Sequence, residues 1–297
     1  MEKNNVLKGV FLVGLGATSY GMLATFVKLA YGQGYTTAEV TTSQFIYGIT
    51  GLLLINLFQR AKKGSTSVQT GSKDIVKLMT AGTSLGFTSI FYYLAVKYIP
   101  VSVGIVLLMQ TVWMGVLLEM LLEKKLPSKI KTISVGIVLI GTALATNMLK
   151  NDFSLDWRGI FWGMLAAASF TTTMFTSNRI ALKVSTSQRS LFMLLGGAVI
   201  VFSFALITQT TPFDMNIFLK WGIVLALFGT IIPPMLLNAG FPHTGLGLGS
   251  IVSSLELPVS VMMAYVLLHE PVNALQWLGI ALIIGAIVLM NLKFGKK

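Results

Sequence analysis

Cysteine is missing from all 297 residues, which excludes a disulfide framework, a thiolate metal site and a cysteine nucleophile. Histidine occurs only at His243 and His269, too sparse and too separated for a metal set. Charge is scarce too, at 11% of residues against roughly 25% in soluble domains. No P-loop motif is present, so ATP is not expected as a direct energy source; GLGLGS at Gly245 resembles a phosphate loop only superficially, because no strand precedes it. No cofactor is implied. What fills the chain instead is apolar, 54% of the residues, and the composition is that of a polytopic membrane protein. The net charge of +12 then has a membrane explanation before a nucleic-acid one, since lysine and arginine gather on one side of a bilayer.

Apolar runs of span length lie near Leu7 to Val27, Ala38 to Phe58, Ile75 to Val96, Val101 to Leu122 and Ile130 to Met148. A second set lies near Trp157 to Ile180, Thr186 to Ile207, Ile217 to Phe241, Gly245 to Leu268 and Val272 to Leu292. Runs this long and continuous are helices rather than barrel strands, so the fold expected is all-α and integral to the membrane, with ten transmembrane helices. The first run follows MEKNNVLKG at full length without a small-residue cleavage site, and reads as an uncleaved helix.

Sorting the 22 basic residues by loop puts seventeen on one side, among them Lys8, Arg60, Lys62, Lys124, Lys129, Lys131, Arg179 and Arg189. The other side holds Lys28, Lys97, Lys150, Arg158 and Lys220. Both termini are therefore expected in the cytoplasm, in a multi-pass protein of the cell (inner or plasma) membrane. The loop Arg60 to Asp74 is Gly/Ser-rich and basic, and reads as a linker on anionic headgroups.

One stretch stands apart. Gly245 to Pro271, GLGLGSIVSSLELPVSVMMAYVLLHEP, is long enough to cross a hydrocarbon core and buries one acid, Glu256, near its middle. An acid at that depth costs roughly 2.5 to 3.5 kcal/mol on insertion scales and normally faces a bundle interior or a wet cavity. Pro258 has no amide for the carbonyl of Ser254, so a bend and a free carbonyl are expected beside it. Gly249, Ser253, Glu256 and Ser260 share one helical face by their spacing. That face is read as a cavity wall, against the plainer alternative of small-residue helix packing. In the preceding span, Pro233 and Pro234 withdraw amides from the carbonyls of Gly229 and Thr230, and Asn238 lies about one turn on. Glu119 reads as an interfacial acid near Lys124 or Lys125, and Glu270 as a helix boundary or gate.

The chain also repeats. LAVKYIPVSVG from Leu94 is similar to NAGFPHTGLGLG from Asn238 in length, 11 residues against 12, and in position of its break, and Thr42-Ser43-Gln44 recurs as Thr186-Ser187-Gln188. With five spans per half, the halves 1–150 and 151–297 must be inverted relative to one another, an architecture of secondary transporters with a midplane site. In the first half Gln110-Thr111-Val112 stands where the second has Glu256-Leu257-Pro258, so the acid and the kink are expected only once.

These features resemble the drug/metabolite transporter superfamily, EamA type. The residues that carry the resemblance are Tyr20-Gly21 with Lys28, the LAVKYIPVSVG break, and LELPVSVMMAYVLLHEP with Gly279 and Gly285 behind it. The resemblance implies two inverted five-helix halves, a solute cavity between them, and export of amino acids or related metabolites. Family members often have a tryptophan before the first-helix glycine and an arginine in the second helix; here Tyr20 and approximately Gln44 stand there.

The function expected is a secondary transporter exporting a small polar solute by alternating access, with protons as a candidate coupling ion through Glu256. Its substrate-binding residues are expected among Glu256, Ser253, Ser260, Trp113, Gln110, Asn238, Ser19, Tyr20 and Tyr92. Trp113 and Gln110 share a face as an amphipathic pocket wall, whereas interfacial belts also explain the tyrosines. The alternative is an intramembrane enzyme acting on a lipid or small molecule, which would need a paired acid, a Ser/Lys or Ser/His set, or a metal cluster.

Overall fold

The computed structural model describes residues 3–63, 70–99, 101–146, 156–269 and 271–294. Among them there is no strand. The helices are α1 (Lys3–Gly32), α2 (Thr37–Lys63), α3 (Ser72–Tyr98), α4 (Val101–Leu108), α5 (Thr111–Glu123), α6 (Lys129–Ala145), α7 (Trp157–Arg179) and α8 (Thr186–Thr208). Then two π-helical turns, Phe218–Gly222 and Leu227–Ile231, flank α9 (Ile223–Ala226) and lead into α10 (Ile232–Thr244). α11 (Leu246–Ser253), α12 (Glu256–Leu267) and α13 (Ala274–Phe294) complete the chain. Six helical stretches among the described residues are long and apolar enough to cross a membrane, beginning at Asn4, Thr37, Val103, Thr186, Phe218 and Leu246. Exposed Leu54, Phe58, Leu206, Ile207 and Leu219 give the bundle an apolar outer surface suited to lipid.

α3 and α7 are less apolar because they meet through hydroxyls. Ser84 Oγ lies 2.7 Å from Thr173 Oγ1, and Ser169 Oγ donates to the Ser84 carbonyl at 2.9 Å. Most other hydroxyls bond back to their own helix, as Thr171 does to Ala167 O and Thr88 to Ser84 O. α3 and α8 pack through glycine: a Cβ on Gly82 would overlap the backbone of Met193, and one on Gly196 the backbone of Met79. Without a hydrophobic force between helices in lipid, such close backbone approach supplies the contact.

Reciprocal caps start the second helix of each half. The Thr36 amide donates to Glu39 Oε2 at 2.7 Å and the Glu39 amide to Thr36 Oγ1 at 3.2 Å, opening α2. At α8, Ser185 Oγ accepts from the Gln188 amide at 3.4 Å and donates to Gln188 Oε1 at 3.0 Å. Equivalence therefore runs from Thr36 to Ser185. The match of Thr42-Ser43-Gln44 with Thr186-Ser187-Gln188 is not structural, since the first triplet lies inside α2 and the second in the opening turn of α8.

Contacts tie together the helix ends that the charge alternation groups. At the basic end, Ser187 Oγ donates to Gln59 Oε1 (2.7 Å), Thr70 Oγ1 to Gln188 Oε1 (3.2 Å), and Arg179 to Glu123 (3.4 Å). Gly9 on α1 meets Gly240 and His243 on α10 there. At the opposite end, Trp221 Nε1 donates to Gln33 Oε1 (3.0 Å), Arg158 lies 4.4 Å above the Tyr98 ring, and Gln276 Nε2 donates to Ala145 O (3.1 Å). Half-buried Asp156 caps α7 there, and hydrogen bonds from Arg158 hold its carboxyl below the usual carboxylate range. Pro100 and Glu270, and residues 64–69 of the expected basic linker, lie outside the described residues.

The largest departure from expectation concerns the helix breaks. The run Gly245 to Leu268 is not one bent helix but two, separated by a turn at Ser254 and Leu255. The Ser254 carbonyl is not free: the Leu257 amide donates to it at 3.2 Å, an i→i+3 bond that replaces the one Pro258 lacks. Nor does the break occur only once. α4 and α5 part at Met109 and Gln110 without proline, through the same bonds: Gln110 N–H to Leu107 O (3.0 Å) and Val112 N–H to Met109 O (3.0 Å). Their counterparts are Leu255 N–H to Val252 O (3.1 Å) and the Leu257 bond. Gln110 (φ −60°, ψ −18°) and Leu255 (φ −60°, ψ −20°) have nearly the same backbone, which makes Thr111 the counterpart of Glu256.

Each turn takes the i+4 amide from one carbonyl, and a side chain donates there, joined at Ile251 O by the Ser254 amide at 3.2 Å. Gln110 Nε2 donates to Val106 O at 3.0 Å, and Ser254 Oγ to Ile251 O at 2.6 Å.

Candidate functional site

Because the break falls just before it, Glu256 opens the first turn of α12, where the helix dipole favours an acidic side chain. α1 crosses directly against this turn. A Cβ at Gly21 would overlap the Glu256 carbonyl oxygen and come within 2.8 Å of Val259 Cβ, so only glycine permits the crossing. Tyr20, adjacent to Gly21, and Tyr92, on α3, both lie within electrostatic reach of the Glu256 carboxylate. Glu256, Tyr20, Tyr92 and Tyr93 stay partly accessible to a water-sized sphere although they sit deep in the bundle.

Aromatic rings extend this group toward the end of α1. Tyr92 and Tyr93 are 6.2 Å apart, Tyr93 and Tyr31 6.5 Å, and the Tyr31 hydroxyl lies 3.2 Å from Thr37 Oγ1. Tyr20 meets Phe170 of α7 edge-on at 6.2 Å. Among the described residues, the Glu256 carboxylate accepts no hydrogen bond and faces no paired cation.

The other sequence candidates divide by what their polar atoms do. Ser260, one turn beyond Glu256, is half-buried on the same helix. Trp113 Nε1 donates to Gln110 Oε1 at 2.9 Å, so these two half-buried side chains are joined to each other at the first-half break. Ser253 lies on the far side of the second break, fully buried and bonded to Gly249 O at 2.9 Å; the polar face expected from spacing stops at the turn. Ser19 Oγ donates to Phe228 O at 3.4 Å. In the π-helical register the amide owed to Phe228 belongs to Pro233, which has none, so the prolines act through Phe228 rather than through Gly229 and Thr230 alone. Asn238 is buried and donates to Ser190 Oγ at 2.9 Å.

Arg189 was grouped by sequence with loop charges, yet it is only 2% exposed. Its guanidinium donates to Thr176 O (3.1 Å), Ser177 O (2.7 Å) and Ile180 O (3.1 Å), at the end of α7. A fourth bond goes to Asn238 O (2.8 Å), the carbonyl that Pro242 leaves without an amide. The signal for this was present in the Asn238–Pro242 spacing. Tyr31 was likewise legible, eleven residues from Tyr20 and hence on one face of α1.

Two acids join elements at opposite ends. At the basic end, Glu119 pairs with Lys131, not with Lys124 or Lys125, and its Oε1 accepts from the Gly247 amide at 3.0 Å. At the other end buried Glu39 accepts from the Asp214 amide (2.8 Å) and from Gln209 Nε2 (3.2 Å).

A family model described as the EamA-like transporter family matches residues 7–147 and again residues 157–292. A curated relative, the "Uncharacterized transporter YetK" of Bacillus subtilis (strain 168), is 29% identical over 257 residues, 82% of this chain and 76% of its own. A solved crystal structure, described only as that of a protein, aligns with a TM-score of 0.80 over 96% of this chain and 98% of its own at 15% identity, a likeness of fold.

Proposed function

The chain belongs to the EamA-like transporter family, and from that premise we propose that it is a secondary transporter exporting a small polar metabolite that bears an amino group, such as an amino acid. The observation that carries this reading is the Glu256 carboxylate, partly accessible within the bundle and lacking a hydrogen-bond or cation partner among the described residues. An acid at that depth is costly unless something charged or polar comes to it, and an ammonium is the natural complement. Tyr20 and Tyr92 add rings that favour a cation, and Ser260, Gln110 and Trp113 extend the surface offered to the solute. Ser19, Ser253 and Asn238 shape the wall through the hydrogen bonds described above.

In this reading ten helices span the cell membrane with both termini in the cytoplasm, and the halves 1–150 and 151–297 rock about the cavity in alternating access. A proton competing with the solute for Glu256 is the coupling ion. Glu256→Gln in proteoliposomes should abolish accumulation driven by a pH gradient while leaving solute exchange measurable. Unchanged gradient-driven uptake would remove the coupling role. The substrate class is tested by comparing intracellular metabolites of cells with and without the protein. Selective depletion of an amino-bearing solute is expected, whereas a new modified product would favour an enzyme.

A further inference from the structure

A cavity of about 360 Å³ lies at the basic end between the start of α1, the start of α8 and the end of α10. Its polar lining comprises Lys8, Thr186, Arg189, Asn238 and His243, and no acid is among the side chains that line it. Two features of this wall are unspent. Arg189 is buried and has no carboxylate partner among the described residues; carbonyl dipoles take four of its five N–H groups, and its charge stays uncompensated. Asn238 Oδ1, in a side chain 2% exposed, has no hydrogen-bond partner. Its amide orientation follows from the network: Ser190 Oγ already donates to Thr186 O, so the hydroxyl must accept from Asn238 Nδ2, which leaves Oδ1 as the open acceptor.

An occupant that satisfies the wall therefore carries negative charge for Arg189 and Lys8, a hydrogen-bonding oxygen for His243, and a hydroxyl or similar donor for Asn238 Oδ1. We propose that this cavity binds a phosphate ester bearing a hydroxyl, the chemistry shared by a phosphatidylglycerol headgroup and by free glycerol phosphate. Basic pockets between spanning helices on the lysine-rich side of a membrane protein are at the level of anionic headgroups. The volume exceeds that of one phosphate group and leaves room for the glycerol. Glu256 is not among the residues that line this site, which does not depend on the transport reading.

The test uses the full chain, purified in a neutral detergent, with thermal unfolding followed by tryptophan fluorescence. Titrations compare dioctanoyl phosphatidylglycerol, dioctanoyl phosphatidylcholine and sn-glycerol 3-phosphate. Phosphatidylglycerol should saturate at a concentration at least tenfold below phosphatidylcholine, and Lys8→Gln/His243→Gln should bring the two within twofold. Lys8 is exposed at the start of α1, so Lys8→Gln alone keeps the fold and should weaken phosphatidylglycerol about fivefold, equivalent to about 1 kcal/mol. Saturation by glycerol phosphate with the same sensitivity to the variants would support the site and assign a soluble source. The proposal is overturned if neither phosphate ester is preferred over phosphatidylcholine, or if the preference survives in both variants.

Discussion

At Gly21 a hydrogen in place of a side chain lets α1 rest on the backbone of α12 at Glu256. Gly21→Val should therefore force the helices apart, lowering stability by about 1–3 kcal/mol, the usual cost of overpacking, and abolishing transport. Thermal unfolding and proteoliposome uptake check the two effects separately. Arg189 makes a sharper case. Arg189→Met removes four hydrogen bonds and takes the donor from the carbonyls of Ser177, Ile180 and Asn238, while Thr176 O keeps the Ile180 amide; a loss of at least about 3 kcal/mol is expected in thermal or denaturant unfolding. Arg189→Lys should recover only part of it, because an ammonium has three donors and no planar fork. If Arg189→Met unfolds like the native chain, the guanidinium is not the cap it is taken to be. That Glu256 lies within the bundle could be read directly, since it stands at the middle of an apolar run. The role of Arg189 could not, because its partners come from α7 and α10 and its neighbours in sequence are the residues of a basic loop.

Among the elements, helix existence was legible from apolar run length and alternating charge, while helix continuity was not. Proline is a visible breaker, so the second-half break was expected and its first-half counterpart was overlooked. The turn at Met109 and Gln110 depends on i→i+3 bonds and on a glutamine side chain reaching back to Val106 O, none of which leaves a compositional mark. This sets an ordering of effects. Pro258→Ala should cost less than about 1 kcal/mol and keep the turn, since the first half forms it without proline. Gln110→Leu exposes Val106 O to an apolar surrounding and should cost about 1–3 kcal/mol. Thermal unfolding of both variants decides the matter; a larger loss for Pro258→Ala would make proline the cause of the break. The capping pairs carry the same lesson. Thr36–Glu39 and Ser185–Gln188 mark equivalent helix starts by role rather than by identical letters, so string matching found Thr42-Ser43-Gln44 instead.

For the whole molecule, the two turns of nearly equal backbone geometry have an electrical consequence. Thr111 stands at one and Glu256 at the other, so only one half carries an ionisable group at its break. If the halves rock, the solute-free, deprotonated carrier displaces negative charge along the membrane normal, whereas a carrier neutralised by a proton or by a solute of net charge +1 displaces none. A full crossing of one charge corresponds to about 2.3 kcal/mol per 100 mV, and a partial crossing to a proportionate share. The return of the empty carrier should therefore depend on membrane potential. In proteoliposomes clamped with potassium and valinomycin, uptake by the native protein should change several-fold across 100 mV, and Glu256→Gln should flatten that dependence. Equal voltage dependence in both would mean that Glu256 stays fixed in the field while the halves move around it.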